Sequence, residues 1–416
     1  MSAPREHYAV GVARVTARSP RTLVLTVCLT LVCSVATPAA AGAAEQTCPN
    51  HETPPSTVSS PDRHPPEGMP TGPLPVPDTP VGGNRMGSCG LVTPEHAPEL
   101  PSDITATSWL IQDLGTGDVL AAEAPHARHR PASLIKLLLA LVVVEHFEAE
   151  DEITPTEQDA DMICSCVGLV EGEHYTTDEV LHGLLMISGN DAAHALGTAL
   201  GGQHEALRLM NERAERLGAR DTRATSTSGL DSEGMVSSAY DISVIYNAAM
   251  RDDRIADIVA TEEFTFPGKD GDDDYPIRND NKLLDDYSGF LGGKTGFTDN
   301  AQHTYAGSAE RDGTRIGVVL LHGEQQPDSL ATQAGRLLDY GFELSAAHRA
   351  PVGSVTERDD SAPSSAQHGA TSGTRHAGST AESSGTLPSW LWVVGGLVAL
   401  LSATVLVITR QRRPDS

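Results

Sequence analysis

Residues 131–144 read Pro-Ala-Ser-Leu-Ile-Lys-Leu-Leu-Leu-Ala-Leu-Val-Val-Val. From 134 onward every position but Lys136 is apolar, and the run is too long for an ordinary strand. It reads as a helix apolar on all sides, which only a protein interior accommodates. Before it, 108–113 and 119–122 are two apolar runs around Gly115-Thr116-Gly117-Asp118, the pattern of a β-hairpin. After it, Thr176 and Glu179 fit a capping box for a helix that stops at Ser188-Gly189, and another helix starts near Asp191. Leu207, Met210, Ala214 and Leu217 mark an amphipathic helix closed by Gly218. The stretches 303–309 and 315–322 flank Arg311-Asp312-Gly313 as a second hairpin, and a last helix near 327–338 precedes Tyr340-Gly341-Phe342. The first hairpin must rejoin the late strands to hide its edges. The fold class is therefore α+β: an antiparallel sheet flanked by helices, with an all-helical insert between its two halves.

Both ends of the 416-residue chain look non-globular. Residues 1–44 carry four arginines, a short apolar core at 22–35 and an alanine-rich stretch, and read as a secretory signal peptide. Residues 45–100 are rich in Pro, Gly and Thr and read as a linker; 346–386, rich in Ser, Ala, Gly and Thr, read as a stalk. Residues 387–409 form an apolar run flanked by Trp390 and Trp392 on one side and by Arg410, Arg412 and Arg413 on the other. They read as a single transmembrane helix with the 410–416 tail in the cytoplasm and everything before it outside the cell. The catalytic domain then spans 101–345. The net charge of −27 argues against a nucleic-acid partner, whose phosphates it would repel. Outside the signal, Cys48, Cys89, Cys164 and Cys166 allow three pairings; the favoured one joins Cys48 to Cys89 and makes Cys164–Cys166 a local bridge. No metal-ligand spacing is present: the histidines at 182, 194, 303 and 322 form no such pattern, and the Asp-rich 270–274 stretch lacks the glutamate of a calcium loop.

The chain has four lysines, at 136, 269, 282 and 294, against 25 arginines (29 − 4). Two of them carry chemistry that arginine cannot easily supply. Ser133 and Lys136 lie one turn apart on a helix face, near its N-terminus, where free N–H groups favour negative charge. A lysine buried among leucines is driven toward its neutral form and can act as a base. Ser188-Gly189-Asn190 sits at a helix junction, where Ser188 can relay a proton and Asn190 can bind an amide, or where both simply cap. Lys294-Thr295-Gly296 offers an ammonium and a hydroxyl to a carboxylate, and Gly296 allows a substrate backbone to approach closely. Each motif alone suits a bland structural role; together they supply nucleophile, base, relay and anion binder.

In this order the three motifs resemble those of the penicillin-recognising serine enzymes, specifically the low-molecular-mass D-alanyl-D-alanine carboxypeptidases of serine peptidase family S11. The resemblance covers 101–345 and includes Pro131-Ala132-Ser133, Ser188-Gly189-Asn190-Asp191-Ala192, Ser238-Ala239-Tyr240-Asp241, Asn281-Lys282-Leu283-Leu284 and 337–342. It implies a β-lactamase/transpeptidase-like fold with no cofactor. It implies that Ser133 attacks the penultimate D-Ala carbonyl of a peptidoglycan stem pentapeptide, that Lys136 takes its proton, and that Ser188 passes a proton to the departing D-Ala. Asn190 would hold the substrate amide, Lys294 and Thr295 the terminal carboxylate, and the backbone N–H groups of Ser133 and Phe297 the oxyanion. β-Lactams, which mimic D-Ala-D-Ala, would acylate Ser133. The chain departs from the family at 300–303, where members usually carry a glycine, and in lacking an arginine within 323–330. Two other readings are a class A-like β-lactamase, which needs a Glu-x-x-Leu-Asn base absent from 220–230, and a catalytically silent peptidoglycan-binding surface protein.

Overall fold

The computed structural model describes residues 48–58, 64–163, 165–269 and 271–355. The signal at 1–44, the membrane span at 387–409, most of the stalk, the tail and Cys164 lie outside them. Among the described residues no helix is long and apolar enough to cross a membrane.

The chain enters a sheet with β1 (Leu91–Val92), β2 (Ser108–Asp113) and β3 (Asp118–Glu123), then turns through a 3-10 segment, Ala132–Ile135, into α1 (Lys136–His146). An excursion follows: β4 (Glu152–Ile153), α2 (Glu157–Ala160), β5 (Tyr175–Thr176), α3 (Thr177–Met186), α4 (Asn190–Ala199), α5 (Gln203–Leu217), α6 (Ala239–Ala249), α7 (Asp253–Ala260), a hairpin of β6 (Glu263–Phe266) and β7 (Tyr275–Arg278), and α8 (Leu283–Asp286). The chain then returns through β8 (Phe290–Thr298), β9 (Gln302–Arg311) and β10 (Thr314–Gly323), and ends with α9 (Leu330–Ala346) and β11 (Gly353–Ser354). The main sheet is antiparallel, in the order β1-β3-β2-β10-β9-β8, with β11 added to β3. The β2–β10 pairing is the rejoining of early hairpin and late strands that the edge argument requires.

Alternation along the central strands serves two cores. Ile316, Val318 and Leu320 pack with Trp109, Ile111 and α9 on one face, and Val319, Leu321 and Leu110 join the α1 side on the other. Residues Lys136 to Val143 of α1 are all buried. The insert is not all-helical, because the small β4–β5 and β6–β7 sheets interrupt it. Its capping box is formed as read: Thr176 accepts from the Glu179 N–H and Glu179 accepts from the Thr176 N–H.

Several sequence readings need correction. The 45–100 segment is no linker over its described residues. Met86 is fully buried, Val92 pairs in the sheet, and the Cys48–Cys89 disulfide ties the segment's start to its later part. A buried guanidinium supplies the physical reason: Arg128 donates to the Glu52, Leu74 and Pro75 carbonyls and to Asp221. His126 bonds both Asp221 and the Val81 carbonyl, and Asp221 and Asp241 complete the cluster. Burial opposes the His126 charge, but the Asp221 hydrogen bond and charge outweigh it and raise its pKa. The domain also runs past 345, since β11 pairs with β3. The last helix begins at Leu330, capped by Ser329, and Tyr340-Gly341-Phe342 lies within it; Gly341 permits close packing on Ile316 and Ile111 rather than ending the helix.

Arg128→Met should destabilise the protein by roughly 3–5 kcal/mol, because it takes the guanidinium from the buried Asp221 carboxylate, which keeps only its His126 side of the cluster, and removes the donors to three carbonyls. Denaturant unfolding reads this, and an unchanged midpoint would contradict the clamp.

Candidate active site

Ser133 lies in the 3-10 turn rather than in the α-helix, which starts only at Lys136. A 3-10 turn eclipses i and i+3, so Ser133 stands directly over Lys136. Ala132 takes a left-handed φ of 50°, and Gly229, at φ 84°, lets its chain pass so close that a Cβ there would stand 2.0 Å from the Ala132 carbonyl oxygen. On the other side Gly296 of β8 backs onto the turn, where a Cβ would come within 2.9 Å of the Ser133 nitrogen. Gly296 thus seats the Ser133 turn against the strand, a use in addition to the open approach read from sequence. The Lys294-Thr295-Gly296 motif is itself inside β8, paired with Ala306, Tyr305 and Thr304 of β9.

Lys136 is fully buried, and its Nζ has three partners: Ser133 Oγ at 3.0 Å, Asn190 Oδ1 at 2.9 Å and the Ser228 carbonyl at 2.6 Å. Burial, with the Lys294 charge adding to it, holds this amine well below its ordinary pKa, although Asp280 and Asp191 pull the other way. A neutral amine has two N–H donors and one lone pair. Asn190 Oδ1 and the Ser228 carbonyl can only accept, so in the neutral form the two donors go to them and the lone pair is left for the Ser133 hydroxyl.

Asn190 has an internal role that the sequence did not show. Its Nδ2 donates to the Ile163 carbonyl and its Oδ1 accepts from Lys136, so both ends of the amide are engaged inside the protein. Ser188 caps nothing: Gly189 is the N-cap of α4 without a side-chain bond. Ser188 sits at a strained φ of 63°, and its buried Oγ has no hydrogen-bond partner. Asp191 accepts from the N–H groups of Val167, Gly168 and Leu169 and fixes the loop that carries Ser165.

These groups open on a cleft of about 380 Å³ lined by Ser133, Ser165, Ser188, Thr295, Phe297, Asp280, Lys282, His303 and Gln325. Lys294 lies beneath it, fully buried, donating to the Thr295 carbonyl at 2.9 Å and 3.9 Å from Asp280 Oδ2; burial lowers its pKa and Asp280 partly restores it. Half-exposed Phe297 packs at a tilt against His303, whose own pKa burial lowers. Among the described lining residues Asp280 is the sole carboxylate, bonded to Thr295, so no glutamate stands ready as the base of the β-lactamase reading. Sequence reasoning missed the Ser228 carbonyl, Asp280, His303 and Gln325 as parts of the site. Only Asp280 had a signal, one position before the Asn281-Lys282-Leu283-Leu284 stretch.

Behind the cleft His129 is buried against His322, with its Nδ1 unpaired. Burial, then the His322 and Arg130 charges, push its pKa down to about 3. Unfolded, the same imidazole titrates near 6.5. Between those values the unfolded chain holds the extra proton, so this contribution is full above about pH 6.5 and is lost as pH falls toward 3. Its magnitude is on the order of a few kcal/mol. His129→Leu should therefore lose less stability than the wild type between pH 7 and 4 in urea unfolding; parallel losses would refute the assignment.

A serine hydroxyl within hydrogen-bond reach of a fully buried lysine whose pKa burial depresses, beside the edge strand of an antiparallel sheet, defines a serine acyl-transfer enzyme. Residues 93–325 match the family model of peptidase S11, D-alanyl-D-alanine carboxypeptidase. The chain is 39% identical over 268 residues to the D-alanyl-D-alanine carboxypeptidase DacB2 of Mycobacterium tuberculosis, covering 64% of this chain and 90% of that protein. It is 29% identical to DacF of Bacillus subtilis, of whose length it spans 64%. A crystal structure of D-alanyl-D-alanine carboxypeptidase from M. tuberculosis matches with a TM-score of 0.60 at 39% identity, covering 63% of this chain and 99% of the other. A structure of the Streptomyces K15 DD-transpeptidase matches with a TM-score of 0.54 at 26% identity, covering 58% and 100%. The chain belongs to the peptidase S11 family of D-alanyl-D-alanine carboxypeptidases.

Proposed function

We propose that this protein removes the terminal D-Ala from peptidoglycan stem peptides through an acyl-enzyme on Ser133, and that penicillins trap the same serine. The observation that carries the reading is the Lys136 amine, with two bonds to pure acceptors and the third contact to Ser133 Oγ. Ser133 Oγ attacks the penultimate D-Ala carbonyl and its proton passes to Lys136. The backbone N–H groups of Ser133 and Phe297 receive the oxyanion; β8 is the sheet's edge strand beside the Ser133 turn, which suits this. The peptide C–N bond breaks as the proton reaches the leaving amine through Ser188, whose hydroxyl has no other partner. Water then attacks the ester, its proton returns to Ser133, and the shortened peptide leaves. Asn190 holds Lys136 in line, and Thr295 with the buried Lys294 binds the substrate carboxylate.

The membrane reading belongs with this proposal. Residues 387–409 anchor the protein by one helix, with the catalytic domain outside the cell after cleavage of 1–44; the uncharged run, its tryptophans and the following arginines support it.

Product analysis tests the reaction. A synthetic peptide ending in Lys-D-Ala-D-Ala should release one D-Ala per chain, and a fluorescent penicillin should label one site. Release of nothing, or of a longer fragment, would overturn the assignment.

A further inference from the structure

The cleft contains a carboxylate at the place where the proposed reaction needs a cation. Asp280 Oδ2 accepts a 2.9 Å hydrogen bond from Thr295 Oγ1 and lies 3.9 Å from Lys294 Nζ. Asp280 is partly exposed and lines the cleft, whereas Lys294 is fully buried and spends a donor on the Thr295 carbonyl. Asp280 therefore occupies the hydroxyl, and screens the ammonium, that a substrate carboxylate would use. The other positive group lining the cleft among the described residues is Lys282. Among the described residues no arginine lines it.

We infer that Asp280 is a specificity-determining residue that competes with the substrate's terminal carboxylate for Thr295 and Lys294. The inference rests on the proposed reaction. A carboxylate entering the cleft must displace Asp280 from Thr295 Oγ1 and meets a like charge there. Discrimination in favour of a free C-terminus is thereby weakened, and a substrate whose end is neutral loses little. The backbone of Asp280 is held independently, its N–H donating to the Met186 carbonyl, so replacing the side chain leaves the loop anchored. Asp280 touches no reacting atom in this scheme; it acts through Thr295 and Lys294.

The test uses Asp280→Asn and, as a smaller side chain, Asp280→Ser. KM and kcat are measured on a Lys-D-Ala-D-Ala peptide, and Ki on the same peptide with its C-terminus amidated. Both variants should lower KM for the free acid about tenfold, the size of one lost like-charge contact, with a smaller change in kcat. Ki for the amide should move less than twofold. An unchanged or raised KM in both variants would overturn the inference, showing that Asp280 only props Thr295. Stoichiometric labelling of wild type by a fluorescent penicillin separates the two readings. If labelling occurs and KM does not fall, the competition fails while the reaction stands; if wild type does not label, the reaction itself fails.

Discussion

Replacing Ser133 by alanine is expected to lower D-Ala release by at least about 10⁴-fold and to abolish covalent penicillin labelling. The effect is large because the acyl-enzyme cannot form without this oxygen, and nothing else near Lys136 can substitute: the other partners of its Nζ are an amide oxygen and a backbone carbonyl. Ser188, the other serine with a buried hydroxyl on the cleft, has no bond to Lys136. The alanine variant should fold as the wild type does, since Ser133 is only partly buried and its side chain bonds only Lys136. Penicillin labelling of Ser133→Ala at the wild-type rate would remove Ser133 from the mechanism.

The second large effect is at Lys136. Lys136→Arg should slow acylation by about 10³-fold or more, because a guanidinium stays protonated and offers no lone pair. The three partners within 3.0 Å of Nζ also leave no room for a longer planar head, so some loss of thermal stability should accompany it. A pH profile separates chemistry from folding. In the wild type, acid protonates Lys136, so the acylation rate should rise with pH through the depressed pKa and level off above it. Linkage makes stability rise with pH as well, but from the depressed pKa up to the unfolded value of about 10.4, a range over which the acylation rate has already levelled off. An arginine variant that acylates at an undiminished rate would show that Lys136 is not the base.

Much of this was legible in the chain because it is local. The Thr176–Glu179 capping box, the glycine-closed α5 and both main hairpins depend on residues within a few positions of one another, and all formed as read. The readings that failed depended on distant partners. The Pro-rich 48–100 segment looked like a linker because its composition favours extended chain; Arg128 and Asp221, far along the sequence, make it part of the domain. The place of Lys294-Thr295-Gly296 inside a strand was not legible, because glycine is depleted in strands. Only the pairing with β9 and the closeness of the Ser133 turn show why glycine serves inside a strand there. The internal partners of Asn190, the Ile163 carbonyl and Lys136, were not legible either, because both come from elsewhere in the chain.

The sequence by itself determined the reaction class. Three motifs in order supply nucleophile, base, relay and anion binder, and the lysine among them that sits in an otherwise apolar helix must be buried if that helix forms, which drives its ammonium toward the neutral form. Tertiary structure decided where that amine's lone pair points, because the answer depends on which acceptors the chain brings to its two donors from 54 and 92 residues away. It also decided what stands opposite in the cleft. Asp280 and Thr295 meet across a sequence separation of 15, and whether a carboxylate helps or hinders a substrate there follows from distance and burial, which residue order does not encode.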